Sequence, residues 1–374
     1  SGSSASAGPA DELVNNRRVV LINELAKAMQ DVKVDSATWA ILWFADIERI
    51  QEHIDIINTA GVSRDKSASW NAAAEEKRRI AENIRGPNSR SQSPTKLPRP
   101  VDRTKSQSKD GNKHAKEAAS QSEINTPIKG RSTSSSPNKT VRSEVAKRLC
   151  DERDRNTCLI THFREPIEIA HIYPFSLGSR TTVEKSAFWG VLRNYWFKEM
   201  VNSWEAEVMR TTEICSNLMS LVNIVHKLWE KARFALRPVG ISEDRKTLTV
   251  QFFWLPTYRY RHKVSINSQP TAFPTNHSSC TVAGEEAAKL FDLEKESKIQ
   301  CGDQLLFHTS DPEKYPLPSE KLLHMQWILH RVLALSGAAE VTDEDLDPYA
   351  GMGSGVGIFE EDEEEEEVEE LEME

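Results

Sequence analysis

Apolar positions recur at helical spacing over residues 12–86. Val19, Val20, Ile22, Leu25, Ala26 and Met29 mark one helix. Trp39, Leu42, Trp43, Ile47, Ile50 and Ile54 mark a second, which Asp35 or Ser36 is placed to cap. Pairing the two predicts an N-terminal helical hairpin, extended by Ala72 to Ile84. The periodicity lapses over 87–140, where Pro, Ser, Thr, Asn, Lys and Arg dominate. Such a segment buries too little apolar area to offset its ordering entropy and reads as a disordered linker.

Residues 141–256 are the dense part. The pattern predicts a helix from Val141 to Arg153, a short strand from Cys158 to Thr161, and a strand from Ile167 to Ile172 that Pro174 ends. An amphipathic helix follows, roughly Val183 to Glu213, with Phe188, Trp189, Leu192, Trp196, Met200 and Trp204 as its stripe. Asn217 then stands before a helix through His226 to Lys231, and two strands span Phe234 to Pro238 and Leu248 to Leu255. Over 257–340, short mixed elements precede one helix, N-capped by Ser319, docked through Leu322, Leu323, Trp327 and Leu333, and stopped by Gly337. Residues 341–374 read as a disordered acidic tail. The sum is an α+β chain.

Charge divides this picture further. The formal net charge of −9 hides a tail, residues 359–374, with twelve carboxylates and no Lys or Arg; without it the balance is −9 + 12 = +3. Residues 85–142 carry thirteen Lys/Arg against four Asp/Glu, a surplus of nine positive charges. A basic linker with an acidic end is the asymmetry expected of a nucleic-acid-facing protein; solvated disorder alone also accounts for it. Five cysteines without tight pairing argue for a reducing, intracellular compartment, nucleus or cytoplasm. The opening residues lack a basic-then-apolar signal layout, and the longest apolar run, Ala40 to Ala45, is too short to span a bilayer, so no membrane partner is expected.

One constellation carries chemistry. His171 ends an extended segment, and His226 lies on a helix nine positions after Asn217, with Glu230 four residues further on the same face. Phosphodiester hydrolysis needs an activated water and a cation on the phosphate. A neutral imidazole can take the water's proton, and imidazole nitrogen with carboxylate oxygen can hold a divalent ion. His226 and Glu230 supply such a pair, Glu168 is a further carboxylate, and Lys227, Lys231 and Arg233 are placed to contact phosphates. Taken singly, each has a structural reading: an N-cap for Asn217, an ordinary surface pair for His226 and Glu230.

The runs Arg153-Asp-Arg-Asn-Thr-Cys158-Leu-Ile-Thr161, Glu168-Ile-Ala-His171-Ile-Tyr-Pro174, Asn217-Leu-Met-Ser-Leu221 and His226-Lys-Leu-Trp-Glu230 resemble the HNH endonuclease domain, in a variant found in fungal proteins of unassigned role. The resemblance covers about 150–340. It implies a ββα-metal core with inserted and flanking helices. It also implies His171 as general base, Asn217 holding the loop and the base's geometry, and His226 as ligand to Mg2+ or a transition ion. Ala170 stands where many members have a metal ligand, which leaves Glu230 or Glu168 to assist His226. Of the two Cys pairs that hold structural zinc in many members only Cys158 remains, with Thr161, Val222 and Val225 at the other places, so no structural zinc is expected. His162 and Ala232 stand where the family often has glycine.

The expected function is therefore metal-dependent endonucleolytic hydrolysis of DNA, with double-stranded DNA as partner. The alternative is a catalytically weakened nucleic-acid-binding or adaptor protein on the same fold. A third reading gives the role to self-association through the helices of 12–86, with 141–256 and 257–340 as scaffold.

Overall fold

The computed structural model describes residues 8–59, 143–178, 180–258, 263–282 and 284–337. The extension Ala72 to Ile84, the linker 87–140 and the acidic tail 341–374 lie outside the described residues. Near the N-terminus come α1 (Asn16–Ala28), β1 (Lys33–Asp35), α2 (Ser36–Phe44) and α3 (Ile47–Thr59). Then follow α4 (Glu144–Asp154), β2 (Ile167–His171), the single turn α5 (Phe175–Gly178), α6 (Thr182–Tyr195) and α7 (Lys198–Val208). Strand β3 (Leu218–Val222) runs straight into α8 (Asn223–Glu230), and β4 (Phe234–Ile241) and β5 (Thr247–Trp254) form a long hairpin. Short strands β6 to β11 occupy 256–298, before β12 (Gln304–His308) and α9 (Glu320–Ser336). The mixture of helices and strands bears out the α+β expectation.

Helix α9 organises the core. Its residues from Leu322 to Ser336 are buried apart from half-buried His324, because it is enclosed by the antiparallel sheet β12–β5–β4 on one side and by α2 and α7 on others. Helix α2, Ser36-Ala-Thr-Trp-Ala-Ile-Leu-Trp-Phe44, is apolar almost all round and accordingly buried all round. One continuous apolar cluster runs from Ala10 through Trp39 and Trp43 to Trp254 and Leu335. Of the two N-terminal stripes, Ile22, Leu25, Ala26, Trp39, Leu42, Trp43, Ile50 and Ile54 lie in this core, while Val20 is exposed. Arg331 ties it together: its guanidinium lies over the rings of Trp327 (4.1 Å) and Phe44 (4.7 Å) and grips both carboxylate oxygens of Glu12 (2.8 and 2.9 Å).

Helix starts follow local chemistry. Asn15, Asp35, Ser143 and Ser319 each accept a backbone N–H three residues on, and Thr181 with Glu184 forms a capping box. Gly337, at φ 71°, ends α9. Among the described residues no helix is long and apolar enough to cross a membrane.

Two predicted long helices are each broken, and at the same place. The second N-terminal helix divides at Ala45, so that α1 packs on α3 while α2 packs on α9. The helix predicted from Val183 to Glu213 divides at Trp196. There Asp46 N–H donates to Tyr195 O (2.9 Å), Phe197 N–H to Asp46 Oδ2 (2.6 Å) and Trp196 Nε1–H to Phe44 O (3.2 Å). These bonds between the two segments replace the helical ones that each gives up.

The strand predicted for Cys158 to Thr161 is a tight turn instead, closed by His162 N–H to Cys158 O (3.0 Å) and Cys158 N–H to Phe163 O (2.8 Å). His162 sits there at φ 58°, in the left-handed region, and its ring nitrogen meets Asp292 at 2.8 Å. Helix α8 ends with Arg233 N–H to Leu228 O and Ala232 N–H to Trp229 O, both 2.9 Å, with Ala232 at φ 48°. That is a Schellman ending without glycine. Both turns keep the backbone that glycine usually supplies, at a cost of roughly 1–2 kcal/mol each. Cys158, Val222 and Val225 all lie in the apolar core.

Candidate active site

Strands β2 and β3 pair antiparallel, Ile167 opposite Val222 and His171 opposite Leu218, and α8 follows β3 without a loop. This brings His171 and His226, distant in sequence, onto one cleft of about 850 Å³. Helix α4 walls one side, the loop after α7 contributes Glu213, and α9 supplies the floor with Gln326 and His330. Trp229 fixes α8 to β2 by donating Nε1–H to His171 O at 3.2 Å.

Each histidine has a carboxylate partner. His171 Nε2 lies 2.7 Å from Glu213 Oε1. His226 Nδ1 lies 2.7 Å from Glu168 Oε2, and its Nε2 lies 3.4 Å from Glu230 Oε1. Asn223 Nδ2–H donates to the other oxygen of Glu168 at 2.8 Å, and Lys227 pairs with Glu230 at 2.8 Å. Burial works to raise the Glu168 pKa, but the hydrogen bonds from His226 and Asn223 outweigh it and hold the carboxyl below its usual range.

Asn217 does not open a helix. It is the last residue of a short 3-10 turn before β3, and it is fully buried. Its Oδ1 accepts from Tyr173 N–H (2.7 Å), and its Nδ2 donates to Tyr173 O (3.1 Å) and Thr212 O (2.9 Å). Tyr173 is two residues after His171, and Thr212 immediately precedes Glu213. The amide therefore clamps the two segments that present the His171–Glu213 pair, and acts as a positioning residue rather than one that touches substrate.

Of the residues expected to meet phosphate, Lys227 lines the cleft and Lys231 is exposed outside its lining. Arg233 is buried, its guanidinium bonded to the Thr257 hydroxyl, so it cannot reach a nucleic acid; it follows the left-handed Ala232, which turns the chain back into the core. Sequence reasoning missed Glu213, which stood at the end of a predicted helix, and Lys147, Gln326 and His330, which come from helices read only as packing elements. Glu213 lies four residues before Asn217, a spacing that gives no periodic signal.

Beneath the cleft, Arg153 is buried with Asp154 in a two-point pair (2.6 and 2.9 Å). It also donates to Cys215 O (3.0 Å), Leu218 O (2.7 Å) and Pro316 O (2.9 Å). Asp154 Oδ2 accepts Ser220 N–H at 2.9 Å. Burial opposes the guanidinium charge, but Asp154 more than compensates, so its pKa stands above the ordinary arginine value.

His330 is buried against Trp229, ring centroids 4.3 Å apart, with Nδ1 bonded to Phe234 O at 2.9 Å. Burial pushes its pKa down to about 4, with the hydrogen bond pulling weakly the other way. A folded pKa below the unfolded 6.5 means the neutral ring's stability is complete above pH 6.5 and is lost as pH falls toward 4. The contribution lost between pH 7 and 5 is expected to be about 2 kcal/mol. Urea unfolding at both pH values checks it: the loss should flatten by that amount in His330→Gln, and an unchanged slope refutes the assignment.

Among the described residues, no group of three or more His, Cys, Asp or Glu side chains converges to hold a metal ion. The position where a ligand precedes the first histidine in many HNH domains is Ala170, fully buried.

Residues 158–237 match the model of the HNH endonuclease family. The matched segment runs from the Cys158 turn to the first half of β4 and contains His171, Asn217 and His226, so this part of the chain is similar to HNH endonucleases. No curated protein matches the chain. No solved structure matches it either.

Proposed function

We propose that the chain is a metal-dependent HNH-type endonuclease hydrolysing phosphodiester bonds, with double-stranded DNA as its substrate. The observation that carries this reading is the shared cleft: a base, His171, and a cation-binding pair, His226 with Glu230, open onto the same space. On this reading β2, β3 and α8 are the ββα-metal unit, with α5, α6 and α7 inserted between its strands.

The donor set fits a hydrated ion with few protein ligands. His226 Nε2 and Glu230 Oε1, 3.4 Å apart, have the separation of two donors on one ion. Water and phosphate oxygens would complete a sphere of the kind Mg2+ prefers. The two nitrogens of one imidazole point apart, so Glu168 on Nδ1 serves as the orienting carboxylate that leaves the Nε2 lone pair outward. When bound, the ion supplies positive charge at the scissile phosphate and the leaving oxygen. His171 takes the proton of the attacking water. Lys147 and Lys227 flank the cleft and suit phosphate contact without base readout. Five carboxylates line it against these two lysines, a balance that draws cations in and calls for one before a polyanion enters.

Nicking of supercoiled plasmid by the full chain should require Mg2+, Mn2+ or Ni2+ and stop with EDTA. Glu168→Gln should raise the half-maximal metal concentration by about 10–100-fold, and His226→Ala should abolish the response. Cleavage indifferent to EDTA and to His226→Ala removes the metal reading. The buried Ala170 and the lack of a three-ligand cluster among the described residues favour the adaptor alternative as second reading. DNA binding without cleavage at any metal concentration would establish it.

A further inference from the structure

The contact between His171 and Glu213 has no counterpart in the chemistry assigned above. Glu213 Oε1 lies 2.7 Å from His171 Nε2, with both side chains largely buried (8% and 12% exposed). Its other oxygen, Oε2, accepts the backbone N–H of Ser143, the N-cap of α4, at 2.8 Å. The preceding residue, Thr212, is held through its carbonyl by Asn217. The carboxylate is thus fixed from two directions before it meets the ring. Phe175 packs on the ring at 5.6 Å and limits its rotation.

We infer that Glu213 is a positioning residue for the base, forming with His171 a carboxylate–histidine pair that sets the ring's tautomer. The inference rests on the reading of His171 as base. An ionised carboxylate only accepts hydrogen bonds, so the nitrogen facing it carries the proton. The neutral ring is therefore Nε2–H, and its lone pair lies on Nδ1, which has no hydrogen-bond partner among the described residues. When Nδ1 accepts the water's proton, the imidazolium that forms is stabilised by Glu213, whose own protonation does not change.

Other charged groups line the same cleft. Helix α4 brings Glu144, Lys147 and Asp151, α8 brings His226, Lys227 and Glu230, α9 brings His330, and β2 itself carries Glu168. Among the described residues, Glu213 is the only carboxylate hydrogen-bonded to the His171 ring, so removing its charge selectively should move this ring's behaviour.

The test is Glu213→Gln in the full chain, which keeps the shape, removes the charge and exchanges one of the two acceptor oxygens for a donor. Nitrogen-15 NMR of the histidine rings, with the His171 signals assigned from His171→Gln, should show the Nε2–H tautomer in the wild type. In Glu213→Gln that preference should be lost, because the amide offers one acceptor oxygen where the carboxylate offers two. Plasmid nicking should fall by about 10²–10³-fold in kcat with KM little changed, and Glu213→Asp, which restores the carboxylate, should recover part of it. An Nδ1–H tautomer in the wild type, or a Glu213→Gln ring that keeps the Nε2–H tautomer with full nicking, overturns the pair. Should Glu213→Gln prove unfolded by circular dichroism, Glu213→Asp and the wild-type tautomer decide it: an Nδ1–H wild type still refutes the pair. If His171→Ala cuts normally, the reading of His171 as base fails. If His171→Ala is inactive while Glu213→Gln matches wild type, only the pair fails.

Discussion

Replacing His171 with alanine is expected to lower plasmid nicking by about 10³-fold at saturating metal, the contribution of a positioned general base. The fold should survive. The ring packs at the cleft edge rather than in the apolar core, and Glu213 keeps its bond to Ser143 N–H, so the stability cost is about 1–3 kcal/mol. Thermal unfolding beside the nicking assay separates the two quantities. A variant that cuts within about threefold of wild type shows that another group takes the proton. Since His226 and Glu230, the proposed cation-binding pair, are untouched in this variant, its metal response should persist in whatever residual cleavage remains.

Arg153→Ala should have the largest effect on stability, roughly 3–5 kcal/mol, because it leaves the buried Asp154 carboxylate without its counter-charge and takes a donor from three main-chain carbonyls at once. Two of those carbonyls, Cys215 O and Leu218 O, flank Asn217, so the clamp on the base should loosen as well. Arg153→Lys should recover only part of the loss. An ammonium carries three donors and no planar fork, and cannot hold Asp154 at two points while reaching three carbonyls. Urea unfolding of both variants checks this; a loss under about 1 kcal/mol for Arg153→Ala would mean that water replaces the guanidinium, which its burial argues against.

The sequence was most legible where one local rule decides the outcome. Ser319 and Gly337 bracket α9 as expected, and Asp35 rather than Ser36 caps α2. Strand β2 and the hairpin β4–β5 occupy the predicted segments within a few residues. It was least legible where tertiary bonds compete with helical ones. The breaks at Ala45 and Trp196 exist because the two segments bond to each other, and neither periodicity contains that partner. At the site, His171, Asn217 and His226 stood out through joint spacing. Their carboxylate partners divided: Glu230 lies one helix turn after His226, whereas Glu168 is 58 residues from His226 and Glu213 is 42 residues from His171, and both meet their histidines only through the fold. Arg233 misled because a charged side chain at a helix end usually faces solvent, and the left-handed Ala232 reverses that here.

Arg331, which holds Glu12 from the middle of α9, has a consequence for how this protein can be taken apart. The segment 158–237 contains the two histidines and the asparagine, but the floor beneath them comes from α9, and α9 is itself enclosed by α2 and anchored near the N-terminus. The segment is therefore not a portable cassette. Grafted into another protein it would carry His171, Asn217 and His226 without Gln326, His330 or the wall built by α4, leaving Trp229 exposed where His330 now covers it. A working transplant has to bring the segment around Glu12, α2, α4 and α9 with it.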